Sequence, residues 1–394
     1  MRIDTLKQLR EACLVESGND TKRANKLIAT KFKEAMKVKE SGKREIDPRN
    51  VSFKTLFEAL VDTNDIDKNN PREVAEAIAS SAFTNITTLV VNAITIEPYE
   101  QRMNEVMQLV TQGEAVFTDP EPVIGMTALG GVRRRLETEA YDETDFEEKR
   151  VTISKRDFGR IIFLTMEDIY NDRLGMIQDR ANTIGEDGSQ HQEQMIIETL
   201  ECLPRTAFGE VTSQAFVYNG TAYAAENFYN TDHSAIAGLD GQVNKNTATG
   251  GIAITGLTNA YNNFSELKDE KGKIIVVRPK IVVVHTSKEL TLANILMTEQ
   301  EVGTANNTIN QFGPRGRVKL ASVVSPFLAT TPNLAYVGDA ARSLLWLWVQ
   351  KPQTLTMAGT DDDAFKRQIV WKARFNYYGG VGHRDYRYIT RVTT

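Results

Sequence analysis

Two tripeptides in this sequence carry the residue types of phosphoryl transfer: His383-Arg384-Asp385 near the C-terminus and Asp157-Phe158-Gly159 far upstream. In a protein kinase the first would place a base beside the substrate hydroxyl, with an asparagine five residues after the aspartate to hold metal. The second would follow it in the chain and hold the other metal ion. Here the fifth residue is Thr390, and Asp157 comes long before Asp385. No Gly-rich strand–turn–strand leads into a Val-Ala-Ile-Lys element. Order and company are both wrong for kinase chemistry, so the two tripeptides require a structural explanation.

The remaining reactive residues are sparse. There are four histidines, His191, His233, His285 and His383, and two cysteines, Cys13 and Cys202, without CxxC spacing. That cysteine usage argues against a disulfide framework or a zinc site and fits a reducing compartment. His191 in "QHQEQ" lacks the second histidine at i+4 of a zinc helix. A Ser-His-Asp arrangement is conceivable around Asp232 and His233, but no G-x-S-x-G elbow presents a nucleophile. His285 ends an apolar strand and reads as structural. Neither G-x-x-x-x-G-K-[ST] nor G-x-G-x-x-G occurs, so nucleotide phosphates have no cradle. The acidic run 137–148 lacks the spacing and glycine of a calcium loop and reads as a solvated arm. The expectation is a non-enzymatic chain without cofactor or metal.

The elements around these residues are more readable. Residues 1–46 read as basic helices, with Lys22, Arg23, Lys26, Lys31, Lys33, Lys37 and Lys39 among few acids and an apolar stripe of Leu27, Ile28, Phe32, Ala35 and Met36. Such a face is either solvated or touches nucleic acid or a partner. "SGKREIDPRN" reads as a linker. Asn70, Pro71 and Glu73 open a second helix, with Val74, Ile78 and Ala82 on one face. Arg133, Arg134 and Arg135 precede Glu137, Glu139, Asp142, Glu143, Asp145, Glu147 and Glu148, and then "RVTIS" and "GRIIFL" suggest a hairpin whose turn region includes Gly159. Thr165 with Asp168 predicts the start of a long helix running to about Glu201, which Gly185 and Gly188 would bend or break.

"GKIIVVRPKIVVVHTSKELTLANIL" predicts a strand, a proline turn, a strand and a helix capped by Thr286 with Glu289. "FKRQIVWKARFNY" and "DYRYITRV" alternate as amphipathic strands, which makes "GGVGHR" the loop between them. At 394 residues, 41% hydrophobic and 25% charged with a net charge of −5, the chain has the composition of a soluble globular protein of one or two domains. No apolar run approaches the roughly 20 residues of a spanning helix, and the N-terminus lacks a signal core.

Several segments in this order resemble the major capsid proteins of tailed bacteriophages with the HK97-type fold, a group similar to the head subunits of Mu-like phages. They are "REVAEAIASSAFTNIT" (72–87), "YNTDHSAIAG" (229–238), "LKDEKGKIIVVRPKIVVVHTSKELTLANIL" (267–296), "RVKLASVVSPFL" (317–328), "NLAYVGD" (333–339) and "VWKARFNYYGGVGHRDYRY" (370–388). The resemblance implies an α+β subunit with a basic helical segment (1–69), an N-terminal arm (70–129) and an E-loop (130–164). A peripheral domain (165–209 and 341–394) would be built on a long spine helix, with an axial domain (210–340) inserted and the last strand free to return to it. It further implies self-assembly into hexamers and pentamers and an icosahedral virion shell around double-stranded DNA. A portal and scaffold or decoration proteins would be partners, and no membrane is involved. The charged residues Arg133 to Glu148 would then contact neighbouring subunits, and the basic segment with Lys22 to Lys39 would be either an internal scaffolding-like piece removed on maturation or an arm retained on the inner, DNA-facing surface. A family cross-link between an E-loop lysine and a neighbour's asparagine would fall to Lys149 or Lys155; many members lack it, and none is expected here.

Overall fold

A computed structural model describes residues 3–18, 20–36, 46–47, 53–61, 70–80, 82–117, 120–126, 148–165, 167–168, 174–204, 206–210, 216–218, 221–223, 228–231, 233, 244–269, 272–300, 309–329, 335–358 and 368–394. The fold is α+β, and the chain forms two compact units. One contains Met1–Arg102, Asp157–Ser189 and Gln350–Tyr378; the other contains Met103–Arg156, Gln190–Val349 and Gly379–Thr394.

The first unit opens with α1 (Ile3–Glu16), α2 (Thr21–Met36) and α3 (Phe53–Leu60). Asp20 caps α2 by accepting from the Lys22 and Arg23 N–H groups at 3.0 and 3.3 Å. The stripe buried on α2 is Ala24, Ile28 and Phe32, four residues apart, with Leu27, Ala35 and Met36 half-buried at its margin. In α4 (Pro71–Ser80) the Asn70 amide donates to Glu73 at 3.0 Å, and Val74 and Ile78 are buried as their spacing predicts; Ala82, expected on the same face, is buried but lies beyond the helix end. Phe57 of α3 meets Phe83 of α5 (Phe83–Val106) edge to face at 6.0 Å. Inside α5, Pro98 removes the N–H that the Ile94 carbonyl would accept from.

Thr165 and Asp168 form the predicted reciprocal cap: the Thr165 hydroxyl donates to the carboxylate at 2.7 Å and accepts from the Asp168 N–H at 3.3 Å. The long helix, α6, is described from Leu174 to Leu200 and contributes residues to both units. Its 27 residues span about 40 Å at 1.5 Å per residue. The glycines within it serve approach. A Cβ at Gly185 would strike the Thr95 carbonyl of α5, and one at Gly188 would lie 2.7 Å from the Phe375 ring.

A four-stranded sheet has the order β1-β11-β12-β4, with β1 Thr111–Glu114, β4 Arg156–Thr165, β11 Leu344–Ala358 and β12 Ile369–His383. Here the expected hairpin between "RVTIS" and "GRIIFL" is corrected. β3 (Glu148–Ile153) pairs with β2 (Glu121–Met126), and β4 joins β12 instead. Gly159 lies within β4, not in a turn. A Cβ there would come 2.7 Å from the Phe375 carbonyl oxygen, so only glycine lets β12 pass. Phe158 packs on Tyr377 at 5.4 Å, which accounts for the Asp-Phe-Gly tripeptide.

In the second unit, β1 runs parallel to β11, from Thr111 opposite Leu345 to Glu114 opposite Trp348. A second sheet has the order β2-β3-β5-β6, with β5 Phe216–Tyr218 and β6 Thr221–Tyr223. The third, five-stranded sheet has the order β7-β13-β10-β8-β9: β7 Thr247–Thr249, β8 Ile281–His285, β9 Ala321–Ser325, β10 Ala335–Gly338 and β13 Ile389–Thr393. The helices α7 (Ile254–Glu266) and α8 (Glu289–Met297) contribute Leu257, Ala260, Phe264 and Leu292 to the core that holds Val282, Val284, Val337 and Val392. A short α9 (Ala340–Ser343) precedes β11.

Two further expectations are corrected in this unit. Residues 273–280 are not a strand, because β8 already pairs with β10 on one edge and β9 on the other; only an isolated bridge joins Ile274 to Lys268. "GGVGH" is not a loop but the end of β12, and the turn falls after it, in a 3-10 segment at Tyr386–Tyr388. Gly380 is required there because a Cβ would strike the Ser154 carbonyl.

Candidate functional site

The residues that could have done chemistry are fastened to backbone and to one another. Asp385 caps the 3-10 turn, accepting from the Arg387 N–H at 3.0 Å. Its carboxylate is gripped by the Arg387 guanidinium, Nε at 3.0 Å and Nη2 at 2.6 Å, with Arg387 itself buried. A carboxylate so occupied holds a turn and is not poised as a base. His383 packs against Phe228 with the rings tilted and their centroids 4.0 Å apart, and its Nε2 lies 3.5 Å from the Cys202 Sγ. Such a pair invites comparison with a Cys–His nucleophile. Burial pushes the Cys202 thiol far up, with the Arg391 charge opposing and Glu201 adding, which disfavours the reactive thiolate.

The other histidines are structural in the same sense. His233 stacks on Tyr386 at 3.8 Å, and its Nε2 donates to Asn246 Oδ1 at 2.9 Å. That oxygen also accepts from the Asn230 N–H, and the Asn246 amide donates to the Phe228 carbonyl at 2.6 Å. Asp232, the acid expected beside His233, lies outside the described residues. His285 Nδ1 accepts from the Ser287 N–H at 3.1 Å and so takes the capping role expected of Thr286; α8 proper begins at Glu289. His191 Nε2 donates to the Ala207 carbonyl at 2.7 Å, and burial lowers its pKa against the pull of that bond and of Glu198. Among the described residues no group of three or more His, Cys, Asp and Glu is placed to hold a metal, and no helix is long and apolar enough to cross a membrane.

Sequence reading missed the fastenings made by α6 and the turn that ends it. Glu193 accepts from the Ser325 hydroxyl at 2.7 Å, and both oxygens of Glu201 accept from the Ala329 N–H at 2.9 and 3.0 Å. Glu193 within α6 and Glu201 just past its end hold the end of β9 and the chain that leaves it. Burial pushes Glu201 up to about 7, with the Ala329 N–H opposing and Glu198 adding.

The expected interaction residues divide sharply. Arg133, Arg134, Arg135, Glu137, Glu139, Asp142, Glu143, Asp145 and Glu147 lie outside the described residues; Glu148 opens β3 opposite Met126. The chain enters and leaves that arm through the antiparallel β2–β3 ribbon. At its base Lys155 is buried, donating to the Val116 carbonyl at 2.6 Å and to the Glu121 carboxylate. A lysine enclosed in this way is unavailable for cross-linking, whereas Lys149 sits in β3 opposite Gly125.

On α2, Lys22, Arg23, Lys26 and Lys33 are exposed. At about 100° per residue, Lys22, Lys26 and Lys33 fall within about 40° of one another, away from the buried stripe. Lys31 points elsewhere and pairs with Glu16 of α1, while Lys37 and Lys39 lie outside the described residues. Apolar side chains are exposed on β4 (Ile161, Phe163) and β11 (Leu355, Met357) in the first unit.

The sequence matches the family model for phage capsid protein over residues 146–392. It is similar to solved structures described as Mycobacterium phage Ogopogo, at 15% identity over 73% of this chain and 90% of that one with a TM-score of 0.43. Another is the capsid of a native GTA particle, at 10% identity over 73% and 89% with a TM-score of 0.47. The mature capsid of bacteriophage PhiM1 is a third, at 11% identity over 73% and 85% with a TM-score of 0.44. Curated proteins give no match.

Proposed function

This chain belongs to the phage capsid proteins, by a family match that spans more than half of it, and from that premise we propose that it is the major head subunit. In this reading it is a structural protein of HK97-type architecture, similar to the head subunits of Mu-like phages, that assembles with itself into hexamers and pentamers. These close an icosahedral shell around double-stranded DNA, with a portal and scaffold or decoration proteins as partners.

The match over 146–392 carries the reading. Supporting it are the ribbon β2–β3 flanking a charged arm (the E-loop, 130–164) and the long helix α6. The return of β13 to pair with β10 and β7 supports an axial domain at 210–340 that also takes the last strand, beside a peripheral domain at 165–209 and 341–394. The exposed Ile161, Phe163, Leu355 and Met357 supply apolar surface for neighbours. The arm's clustered arginines and acids supply charges that set register across large interfaces.

Electron microscopy and sedimentation of the purified full chain test this. Closed shells or rings of five or six subunits are expected. A homogeneous monomer or dimer, from expression alone and from co-expression with the other head proteins, overturns it. Deleting residues 137–150 should leave a folded subunit that does not assemble, and normal particles from the deletion would remove the arm from the interface.

The basic face of α2 favours a second, compatible role. Lys22, Arg23, Lys26 and Lys33 would meet the phosphate backbone of packaged DNA without reading sequence.

A further inference from the structure

The base of the β2–β3 ribbon is built around a buried charge. Lys155 sits between the last residue of β3, Ile153, and the first of β4, Arg156, and its side chain is fully enclosed. The ammonium donates to the Val116 carbonyl, in the segment that follows β1, and to Glu121, the first residue of β2. Glu121 in turn lies opposite Ile153 across the ribbon. Behind this joint, β12 leaves no room: a Cβ at Gly380 would lie 3.1 Å from the Lys155 Cα, and one at Gly382 would lie 2.7 Å from Ile153 Cγ1. Three chain segments therefore meet at one buried charge, with a strand pressed against their other side. The apolar packing available nearby is small: Ile153, Leu345 and Leu347, with Ala115 and Val123.

A joint of this kind has leverage. Six residues of strand reach about 20 Å, so a tilt of about 10° at the base moves the far end by about 3.5 Å, one residue step along a strand. At that far end, Met126 opposite Glu148, the chain passes to the arm of arginines and acids. A shift of one step would put those charges out of register with any fixed partner surface. We propose that Lys155 is the positioning residue of shell assembly: by tying Val116 to Glu121 it makes the β2–β3 ribbon leave the subunit in one direction and deliver its arm to a neighbouring copy of this chain. The inference rests on the reading of the protein as a shell-forming subunit.

The test uses the full chain as wild type, as Lys155→Met and as Lys155→Met/Glu121→Leu. The double variant removes the charges together, which avoids leaving one buried alone. Each carries nitroxide labels at Ile124→Cys and Leu290→Cys; both sites are exposed, whereas Cys13 and Cys202 are buried. In unassembled subunits, pulsed electron resonance should give a narrow distance distribution for the wild type and one at least twofold broader for both variants. By electron microscopy both variants should yield at least tenfold fewer closed particles, or particles of mixed diameter, even where the double variant regains the wild-type melting temperature. Distributions of unchanged width overturn the proposal. So does a double variant in which melting temperature and particle yield recover together, since Lys155 would then act through stability alone. A wild type that forms no shell, alone or co-expressed with the other head proteins, while Lys155→Met still broadens the distribution overturns the shell reading and leaves Lys155 as the residue that orients the ribbon.

Discussion

In the five-stranded sheet, β8 buries Ile281, Val282, Val283 and Val284, has strands on both edges, and is backed by α7 and α8. The β2–β3 ribbon has strands of similar length in the same unit, yet Ile124 is 61% exposed and the base is fixed by a buried ammonium. The first region carries its own stability, in apolar area removed from water. The second has less such area: β3 pairs with β2 and, at Val151, with β5, and its base encloses one buried ammonium paired with Glu121. A core is forgiving of exchange among apolar residues but costly to empty. A joint made by one charge adds little stability and decides geometry. A shell protein needs both, a subunit that folds alone and an arm that points one way.

That contrast can be broken by experiment. Phe264→Ala in α7 empties a fully buried site and should lower unfolding stability by about 3–5 kcal/mol, read from the urea midpoint. An equal loss from a ribbon substitution would erase the distinction. Glu201 gives the next effect. A carboxyl raised above its ordinary 4.5 to about 7 binds its proton more readily when folded. Its contribution is therefore full below the ordinary value and is lost as pH rises through the folded one. Wild type should lose about 1–3 kcal/mol relative to Glu201→Gln between about pH 5 and about pH 8, and parallel profiles would show that Glu201 keeps its charge throughout.

Replacing Lys22, Lys26 and Lys33 together by glutamine should leave stability unchanged while reducing the salt dependence of DNA binding, by a slope of up to about 3. An unchanged slope would make the α2 face merely solvated. Smallest of all, Ile124→Ser should alter stability by less than about 0.5 kcal/mol. The ribbon would have an unrecognised core of its own if that substitution cost several times more.

The kinase-like tripeptides show how far residue types can mislead when order is ignored. Asp157-Phe158-Gly159 is a strand whose glycine admits β12, and His383-Arg384-Asp385 is the end of a strand followed by a capped turn. Their wrong order was legible; their actual role was not, because a close approach by another strand leaves no trace in spacing. The hairpin expectation failed for a related reason. Alternation marks a strand, but nothing in "RVTIS" or "GRIIFL" says which neighbour each will take.

The sequence by itself determined the elements with strong local signals: the Asn70-Pro71-Glu73 helix start, the Thr165–Asp168 cap and the apolar β8. It also determined the family, through the order of its segments. Tertiary structure alone decided strand pairing, the close approaches at Gly159 and Gly380, the burial of the Cys202–His383 pair, and the burial of Lys155. The physical reason is range. Caps and periodicity act within a few residues, whereas desolvation of a thiol or a lysine depends on which distant segments close around it.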